Sequence, residues 1–318
     1  MRFLSIGLIK NLLKFPGYPG RILFPDTKPS LASYRLIVML LNPLEIYKRR
    51  IEKNKIKPEP DPVIIDGYGL ITLTSQLKSK ITSFAKNIDV DYYEKDETRK
   101  KSFLKTYSQD PLSNDLKPIV LADEIIDPIA EYFGSIPVLV DAAVWYSNAK
   151  SIEPGRSQLF HLDGGDLKQM KVFIPLEDIT EDTGPLTLID SRRSKNIFTE
   201  LCKTKRITKI NTKLADDEIM PFVSPEHWVK ATANVGEAIF TDTSSCYHFG
   251  SRPGKKHRLL LMLHFHTFGA VDLPIFSGRK DPTLKALPLK HQLVLGSFNK
   301  SFSRIRSRKF RDIYAFGY

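Results

Sequence analysis

A histidine and an aspartate two positions apart, His161 and Asp163, are the residues best suited to chemistry in this sequence. Side chains alternate across an extended strand, so these two project to one side while Leu162 faces the other. His248, much further along the chain, can be brought to them by folding. Two imidazoles and one carboxylate form the facial triad that holds Fe(II) and leaves three positions open. The residue types and spacing therefore predict a mononuclear iron site.

The segments around these three residues follow one another in an order that makes the pattern more specific than an isolated pair. An apolar run is followed by an acidic turn, then by a second strand-like run before His248, and finally by an arginine that opens a third apolar run. These features are Lys171–Leu176, Glu181–Leu186, Gly236–Asp242 and Arg258 with Leu259–Phe265. Together with the three residues, these segments carry a resemblance to a known family.

With these parts in place, residues 140–268 resemble the phytanoyl-CoA dioxygenase family of Fe(II)- and 2-oxoglutarate-dependent oxygenases. The family pattern runs Gln-x-x-His-x-Asp, Asn/Asp-x-Gly-x-Leu, Gly-Asp/Glu, His and Arg. The resemblance implies that His161, Asp163 and His248 bind iron. It also implies that Arg258, ten residues beyond His248, holds the far carboxylate of 2-oxoglutarate.

Three further residues take expected roles around the co-substrate. The resemblance places Phe173 against 2-oxoglutarate. It places Ser251 near the position at which the family has a hydroxyl for the co-substrate. Gln158, three residues before His161, is expected to support the ligands or the substrate. The family often continues after its Gly-x-Leu turn with Pro-Gly-Ser-His. This chain instead has Ile189-Asp-Ser-Arg-Arg, which indicates a divergent subfamily.

The function implied by the resemblance is that of a dioxygenase using Fe(II), 2-oxoglutarate and O2. It would hydroxylate a small or carrier-linked organic substrate and release succinate and CO2. The alternative is a cupin-like metal-binding protein without oxygenase activity, such as an isomerase or a ligand-binding module. Arg258 separates the two, because a binding module has no use for a buried arginine opposite the triad.

Composition predicts one oxygenase domain with basic extensions. A chain of 318 residues with 42% hydrophobic content can bury a sizeable core. We expect an extension over 1–62, the domain over 63–275 and a second extension over 276–318. The two cysteines are too few for a disulfide framework, and Lys10, Lys14 and Pro16 interrupt any leader-like run, so we expect a cytoplasmic location.

Positive charge is concentrated at the two ends of the chain. Residues 1–60 hold twelve Lys/Arg against four Asp/Glu, and residues 279–312 hold ten against two. An anionic partner is one interpretation, namely a CoA- or nucleotide-linked substrate, an acidic carrier protein, or a membrane surface touched by the N-terminus. The other is an ordinary solvated surface. The sequence contains no recognisable nucleic-acid module, and it indicates no oligomeric state.

The elements that must position these residues are mainly strands with buttressing helices. Helical spacing predicts helices over 75–88, capped by Ser75, and over 119–133, interrupted by Pro128 and stopped by Gly134. Residues 90–117 and 191–226 are expected to be loops, and His264 and His266 core residues. Strands are predicted over 138–147, 158–163, 169–176, 185–190, 228–233, 237–242 and 257–268. The pattern indicates a double-stranded β-helix, the jelly-roll core of cupin-like proteins.

Overall fold

Nine strands form two antiparallel sheets in the part of the chain that the structure describes. The larger sheet has the order β1-β7-β4-β9-β3-β2 and the smaller one the order β6-β5-β8. The strands are β1 Tyr68–Thr72, β2 Leu104–Ser108, β3 Val138–Ser147, β4 Gln169–Pro175, β5 Leu186–Leu188, β6 Val229–Ala231, β7 Glu237–Asp242, β8 His248–Phe249 and β9 Arg258–His266. This confirms a mainly β fold with a jelly-roll core.

The computed structural model describes residues 35, 36, 38–40, 42–95, 104–148, 156–204, 212–250, 252, 254–270 and 282–296. Its helices are α1 Pro43–Asn54, α2 Ser75–Lys86, α3 Val90–Lys95, α4 Lys117–Val120, α5 Asp123–Phe133, α6 Ser191–Lys203, α7 Asp216–Ile219, α8 Pro282–Lys285 and α9 Leu289–Val294. None of the described helices is both long and apolar enough to cross a bilayer.

The central strand β9 shows how alternation divides the larger sheet into two faces. Leu259, Leu261 and Leu263 pack into the core beneath the helices, whereas Leu260 and Met262 pack into a separate cluster that faces the smaller sheet. Successive strand residues point to opposite faces, so one apolar run can supply both layers. The larger sheet is therefore buried on both sides.

Helices α2 and α5 cover the outer face, as the helical spacing predicted. Leu77 and Ile81 of α2 and Ile125 of α5 lie in the same core cluster as the outward-facing strand residues. The N-cap of α2 is Thr74 rather than Ser75, and its side chain accepts a hydrogen bond from the amide of Leu77 at 3.4 Å. Glu124 of α5 holds the capping residue in place, because its carboxylate accepts a hydrogen bond from the Thr74 hydroxyl at 2.6 Å.

The second predicted helix is divided, but not at its proline. Helix α4 ends at Val120 and α5 begins at Asp123, because Ala122 adopts an extended backbone with ψ of 135°. Pro128 lies inside α5. Gly134 ends the helix with a φ of 70°, a left-handed conformation that glycine adopts without a side-chain clash. The predicted stop is confirmed.

Buried Arg49 attaches α1 to the body of the molecule. Its guanidinium donates to the carbonyls of Ile136 at 3.0 Å, Pro137 at 3.1 Å and Leu293 at 2.9 Å. It also pairs with Glu45 one turn earlier in α1, at 3.0 Å. Arg49 thus joins α1 to the residues just before β3 and to α9, which lies much later in the chain.

Three regions differ from the sequence-based expectations. The segment 90–117 contains α3 and the edge strand β2, which pairs with β3, so it is not a plain loop. The segment 191–226 opens with the 13-residue helix α6, which buries Ser194, Ile197 and Leu201. Residues 158–163 make only isolated bridges rather than a regular strand. The basic segment 304–311, whose alternation is typical of an edge strand or a short amphipathic helix as much as of a binding arm, lies outside the described residues.

Candidate metal and co-substrate site

Backbone hydrogen bonds bring the three predicted ligands together. His161 and His248 form an isolated antiparallel bridge, with N–H to carbonyl distances of 2.9 Å and 3.0 Å. The amide of Asp163 donates to the carbonyl of Thr243 at 2.8 Å. His248 also pairs in register with Leu188 of β5, whose side chain packs into the cluster between the sheets. The ligands therefore lie on the inner side of the smaller sheet.

Each imidazole is oriented by a main-chain carbonyl two residues before it. Nδ1 of His161 lies 2.8 Å from the carbonyl oxygen of Leu159, and Nδ1 of His248 lies 3.0 Å from that of Cys246. A carbonyl oxygen can only accept, so both Nδ1 atoms carry the proton. In the neutral imidazole the lone pair then belongs to Nε2, the atom directed to the centre of the site.

The Nε2 atoms converge on the carboxylate of Asp163. His161 Nε2 lies 3.5 Å from Oδ1 and His248 Nε2 lies 3.7 Å from Oδ2. One ligand atom from each of the three residues falls within 4.8 Å of the others, and the imidazole ring centroids are 4.4 Å apart. The three donors thus surround a space suited to a single metal ion.

The charge states of the site also suit a metal. Burial, together with neighbouring His161 and Lys171, lowers the pKa of His248 to about 3, so its imidazole is neutral near neutral pH. Burial by itself would raise the pKa of Asp163, but Lys171 and the two histidines hold it well below its usual range. A metal needs an unprotonated imidazole and an ionised carboxylate. The donor set therefore fits a divalent cation, and its composition fits Fe(II).

Lys171 is a site residue that the sequence analysis did not single out. It projects from β4 toward the smaller sheet, and its Nζ donates to Oδ2 of Asp163 at 2.7 Å. The same ammonium lies 5.8 Å from the ring centroid of Trp145. The sequence did contain a signal for this role. Lys171 lies two positions before Phe173 in an apolar strand, so both side chains must lie on the same, inward face of the sheet.

Arg258 is a buried cation without a compensating carboxylate among the described residues. Only 4% of its surface is exposed, although it begins β9. Its guanidinium donates to the hydroxyl of Ser147 at 3.3 Å, and its Nε meets no hydrogen-bond acceptor in the part of the chain that the structure describes. Burial lowers its pKa to about 10, so the group remains charged at neutral pH. An unmatched buried charge is costly, and an anionic ligand would satisfy it.

Strand alternation places Arg258 on the face that carries Lys171. Arg258, Leu260 and Met262 occupy alternate positions of β9, and Met262 pairs with Phe173 of β4. Phe173 is buried and its ring centroid lies 5.8 Å from that of Trp145. The predicted arginine and aromatic residues therefore share one apolar interior with the triad.

The remaining predicted contacts are less directly placed. Gln158 is buried at the end of a single 3₁₀ turn, and its carbonyl oxygen accepts from Nε of Arg252 at 3.1 Å. The guanidinium of Arg252 forms two hydrogen bonds with Asp216, at 2.7 Å and 2.6 Å, and stacks over the ring of Phe249. It is therefore already paired. Ser251 lies outside the described residues, so its predicted role stays a prediction.

A second polar cluster lies farther along the same face. Nε2 of His264 and Nε2 of His266 lie 3.0 Å and 2.8 Å from Oε1 of Gln169, and 2.8 Å from each other. His264 pairs in register with Lys171. The two histidines are thus hydrogen-bonded within the sheet interior, on the side of Lys171 away from Arg258.

No protein-family model matches the sequence, and no curated protein matches it. The resemblance to the phytanoyl-CoA dioxygenase family therefore has no such match behind it.

Comparison with solved structures finds several similar folds at low identity. HygX from Streptomyces hygroscopicus, crystallised with nickel and 2-oxoglutarate, is 13% identical over 64% of this chain and 83% of its own, with a TM-score of 0.44. AviO1 from Streptomyces viridochromogenes Tue57 is 12% identical over 69% of this chain and 100% of its own, with a TM-score of 0.44. SnoN, an epimerase crystallised with Fe3+, alpha ketoglutarate and nogalamycin RO, is 12% identical over 73% and 87%, with a TM-score of 0.42. At this level the comparisons assign neither a family nor an activity.

Proposed function

We propose that the protein is an Fe(II)- and 2-oxoglutarate-dependent oxygenase acting on a small or carrier-linked organic substrate. The observation that carries this proposal is a buried arginine that has no carboxylate partner among the described residues and that shares its interior with a two-histidine, one-carboxylate cluster. A metal-binding module would require the cluster alone. The arginine adds a place for an anionic organic group.

His161, Asp163 and His248 would hold the iron. Bound Fe(II), with 2-oxoglutarate and O2, supplies the oxidising power to attack an unactivated C–H bond as succinate and CO2 are released. The two main-chain carbonyls keep the imidazole rings in the required tautomer, and the bridge between His161 and His248 fixes their separation. The protein thus supplies a preformed ligand set.

Arg258 would hold the far carboxylate of 2-oxoglutarate. A guanidinium can donate two parallel hydrogen bonds to a carboxylate, and a buried pair of this kind is stronger than an exposed one. Ser147, already bonded to the guanidinium, fixes the side chain in the interior. The pairing would also remove the cost of the buried positive charge.

The surrounding apolar side chains would exclude water from the reacting groups. Phe173, Leu260 and Met262 line the inner face of the larger sheet, opposite Leu186 and Leu188 of the smaller sheet. Exclusion of bulk water strengthens the charge interactions in the site and prevents side reactions.

Anaerobic titration of the metal-free protein tests the proposal. Fe(II) is added first, then 2-oxoglutarate, and the visible absorbance is recorded. An oxygenase of this kind should develop a charge-transfer band only when both are present. Absence of the band, with Fe(II) shown to be bound, would favour the cupin-like alternative.

A matched arginine variant makes the experiment specific. Arg258→Met should keep bound Fe(II) but require far more 2-oxoglutarate for the band, whereas Arg252→Met should leave that requirement unchanged because Arg252 is committed to Asp216. A screen of metabolites for stimulated conversion of 2-oxoglutarate to succinate would then identify the substrate. An equal requirement in both variants and the unaltered protein would remove Arg258 from the proposal.

A further inference from the structure

The N-terminal helical region carries an exposed row of large apolar side chains. In α1, Leu44 and Tyr47 are 75% and 63% exposed, and Ile51 completes the row at the next turn. Positions three and four apart share one face of a helix, so these three residues are neighbours. Leu40, in the helical residues just before α1, is 71% exposed. We call Leu44, Tyr47 and Ile51 the exposed apolar stripe.

Charged residues of α1 are distributed unequally between its two sides. The acidic residues Glu45 and Glu52 are turned toward the molecule, where Glu45 pairs with buried Arg49 and Glu52 pairs with Lys55. Lys48 and Arg50 are exposed, and neither forms an ion pair with any described carboxylate. The outward side of α1 thus combines apolar residues with uncompensated positive charge.

The contacts that hold α1 to the body leave this outward side uncovered by the described residues. Arg49 binds three main-chain carbonyls of the body, and Lys53 pairs with Glu131 of α5 at 3.0 Å. These contacts use the inner side only. Exposure of the stripe is therefore a property of the docked helix and not of a loose segment.

We propose that α1 is a docking surface for an anionic lipid bilayer. An amphipathic helix lies in the plane of a membrane interface when apolar side chains enter the headgroup region and basic residues contact anionic lipid. The stripe supplies the first element, and Lys48 with Arg50 supplies the second. Residues 1–60 reinforce the attraction with twelve Lys/Arg against four Asp/Glu. This function is separate from the proposed oxygenase activity and requires no metal.

The charge pattern favours lipid over a second copy of this chain. Two copies meeting through α1 would bring Lys48 and Arg50 of one protomer against the same residues of the other, since like patches face each other in a two-fold dimer. Those cations have no described carboxylate to neutralise them. A negatively charged bilayer neutralises them and also accepts the apolar side chains.

Vesicle binding by the full-length protein tests the inference. The probes are vesicles of phosphatidylcholine alone and vesicles containing phosphatidylserine, separated from free protein by flotation. We expect binding to the anionic vesicles, much weaker binding to the neutral ones, and a loss of affinity as salt rises from about 0.1 M to about 0.5 M. Absence of binding to phosphatidylserine vesicles overturns the proposal.

Two pairs of variants distinguish the stripe from general positive charge. Leu44→Gln with Ile51→Gln should reduce binding at least about tenfold without changing net charge. Lys48→Gln with Arg50→Gln should reduce it by more than Lys80→Gln with Lys195→Gln, a control that removes the same charge elsewhere. Met220→Gln is the apolar control, because Met220 is also exposed but lies outside α1. Thermal unfolding confirms that each variant is folded.

Several results would overturn the assignment of α1 to a lipid surface. Binding that survives the Leu44 and Ile51 changes overturns the stripe as the docking surface. An equal loss of binding in the Lys48–Arg50 variant and in the Lys80–Lys195 control overturns it as well. A dimer in sedimentation analysis that these apolar changes dissociate, without vesicle binding, assigns the surface to a second copy. Binding of an acidic protein without vesicle binding likewise overturns the lipid assignment.

Discussion

Lys171 on the larger sheet donates a 2.7 Å hydrogen bond to Oδ2 of Asp163 across the interior of the fold. The ammonium neutralises the carboxylate that the two histidines also face. A divalent metal bound at the same carboxylate would be repelled by this cation and would compete with it for an oxygen. Lys171 is thus placed to moderate the affinity of the site for metal.

Lys171→Met is therefore expected to tighten binding of Co(II), a spectroscopic substitute for Fe(II), by roughly tenfold or more, because a nearby positive charge is removed. Anaerobic titration of the metal-free protein measures the affinity. Lys168→Met serves as the control, since Lys168 bonds the carbonyl of Tyr132 rather than the triad. Weaker binding in the Lys171 variant would show instead that this lysine chiefly orients Asp163.

Arg258→Met should make the ligand-free protein more stable while removing its response to 2-oxoglutarate. Burial lowers the pKa of Arg258 to about 10, so the folded state holds this proton less tightly than the unfolded chain and the charged form opposes folding. An unpaired buried charge is costly, so its replacement by an apolar side chain should stabilise the fold, on the order of the 1 to 4 kcal/mol known for apolar replacement of buried ion pairs. Denaturant unfolding at neutral pH measures the change.

The second half of that prediction uses the ligand. In the unaltered protein, 2-oxoglutarate added with Fe(II) under anaerobic conditions should raise the melting temperature, since a ligand that binds only the folded state stabilises it. The Arg258 variant should show little such increase. A full increase in the variant would contradict the assignment of Arg258 to the far carboxylate.

Single alanine substitutions at His161, Asp163 and His248 should each abolish stoichiometric Fe(II) binding and succinate release, because removal of one of three protein ligands weakens and distorts the site. Metal content after dialysis and 2-oxoglutarate turnover are the measurements. His227→Ala is a suitable control, since His227 lies in a separate 3₁₀ turn and faces Glu226. Full turnover in any one of the three would exclude that residue as a ligand.

The ion pair between Arg252 and Asp216 should stabilise the segment that borders His161. Leu214, two residues before Asp216, forms an isolated bridge with Phe160, the neighbour of His161. Both charged side chains are partly exposed, so we expect a coupling energy of only about 0.5 to 1 kcal/mol. Arg252→Gln, Asp216→Asn and the double variant, compared by thermal unfolding, give this value. Strict additivity would show that the pair is not coupled.

The interior strands could be predicted from sequence because their alternation is strong. Strands β3, β4, β7 and β9 carry long apolar runs, and the structure places each close to its predicted range. The edge strands β1 and β2 were not predicted, since Tyr68–Thr72 and Leu104–Ser108 are short and half-exposed. Strands at a sheet edge bury fewer side chains, so their sequences show a weaker alternation of apolar and polar residues.

Helix α6 was missed for a related reason. Its charged composition suggested a loop, yet Ile197 and Leu201 lie four residues apart and are buried with Ser194. The start signal was also present, because the side chain of Asp190 accepts from the amide of Arg193 at 2.9 Å. A narrow buried stripe is easily hidden by the exposed residues around it.

Two of the three proposed metal ligands, His161 and Asp163, followed from local spacing, whereas His248 came from the family resemblance and the supporting contacts were not predicted. His161 and Asp163 are fixed on one side by two-residue alternation, which any extended segment imposes. The contact of Lys171 with Asp163 and the pairing of Arg252 with Asp216 join segments whose approach depends on the folded path of the chain. Such contacts leave no local periodicity in the sequence.

The bridge between His161 and His248 has a consequence for the order of folding. The site cannot form until a segment far along the chain returns to pair with residue 161, and closure of so long a loop is slow relative to local helix formation. During synthesis, a ribosome-bound chain ending before residue 248 would lack a complete ligand set. If the proposed site binds metal, we expect metal capture to follow the pairing of these two segments, and the rate at which refolding chains bind Co(II) tests this order.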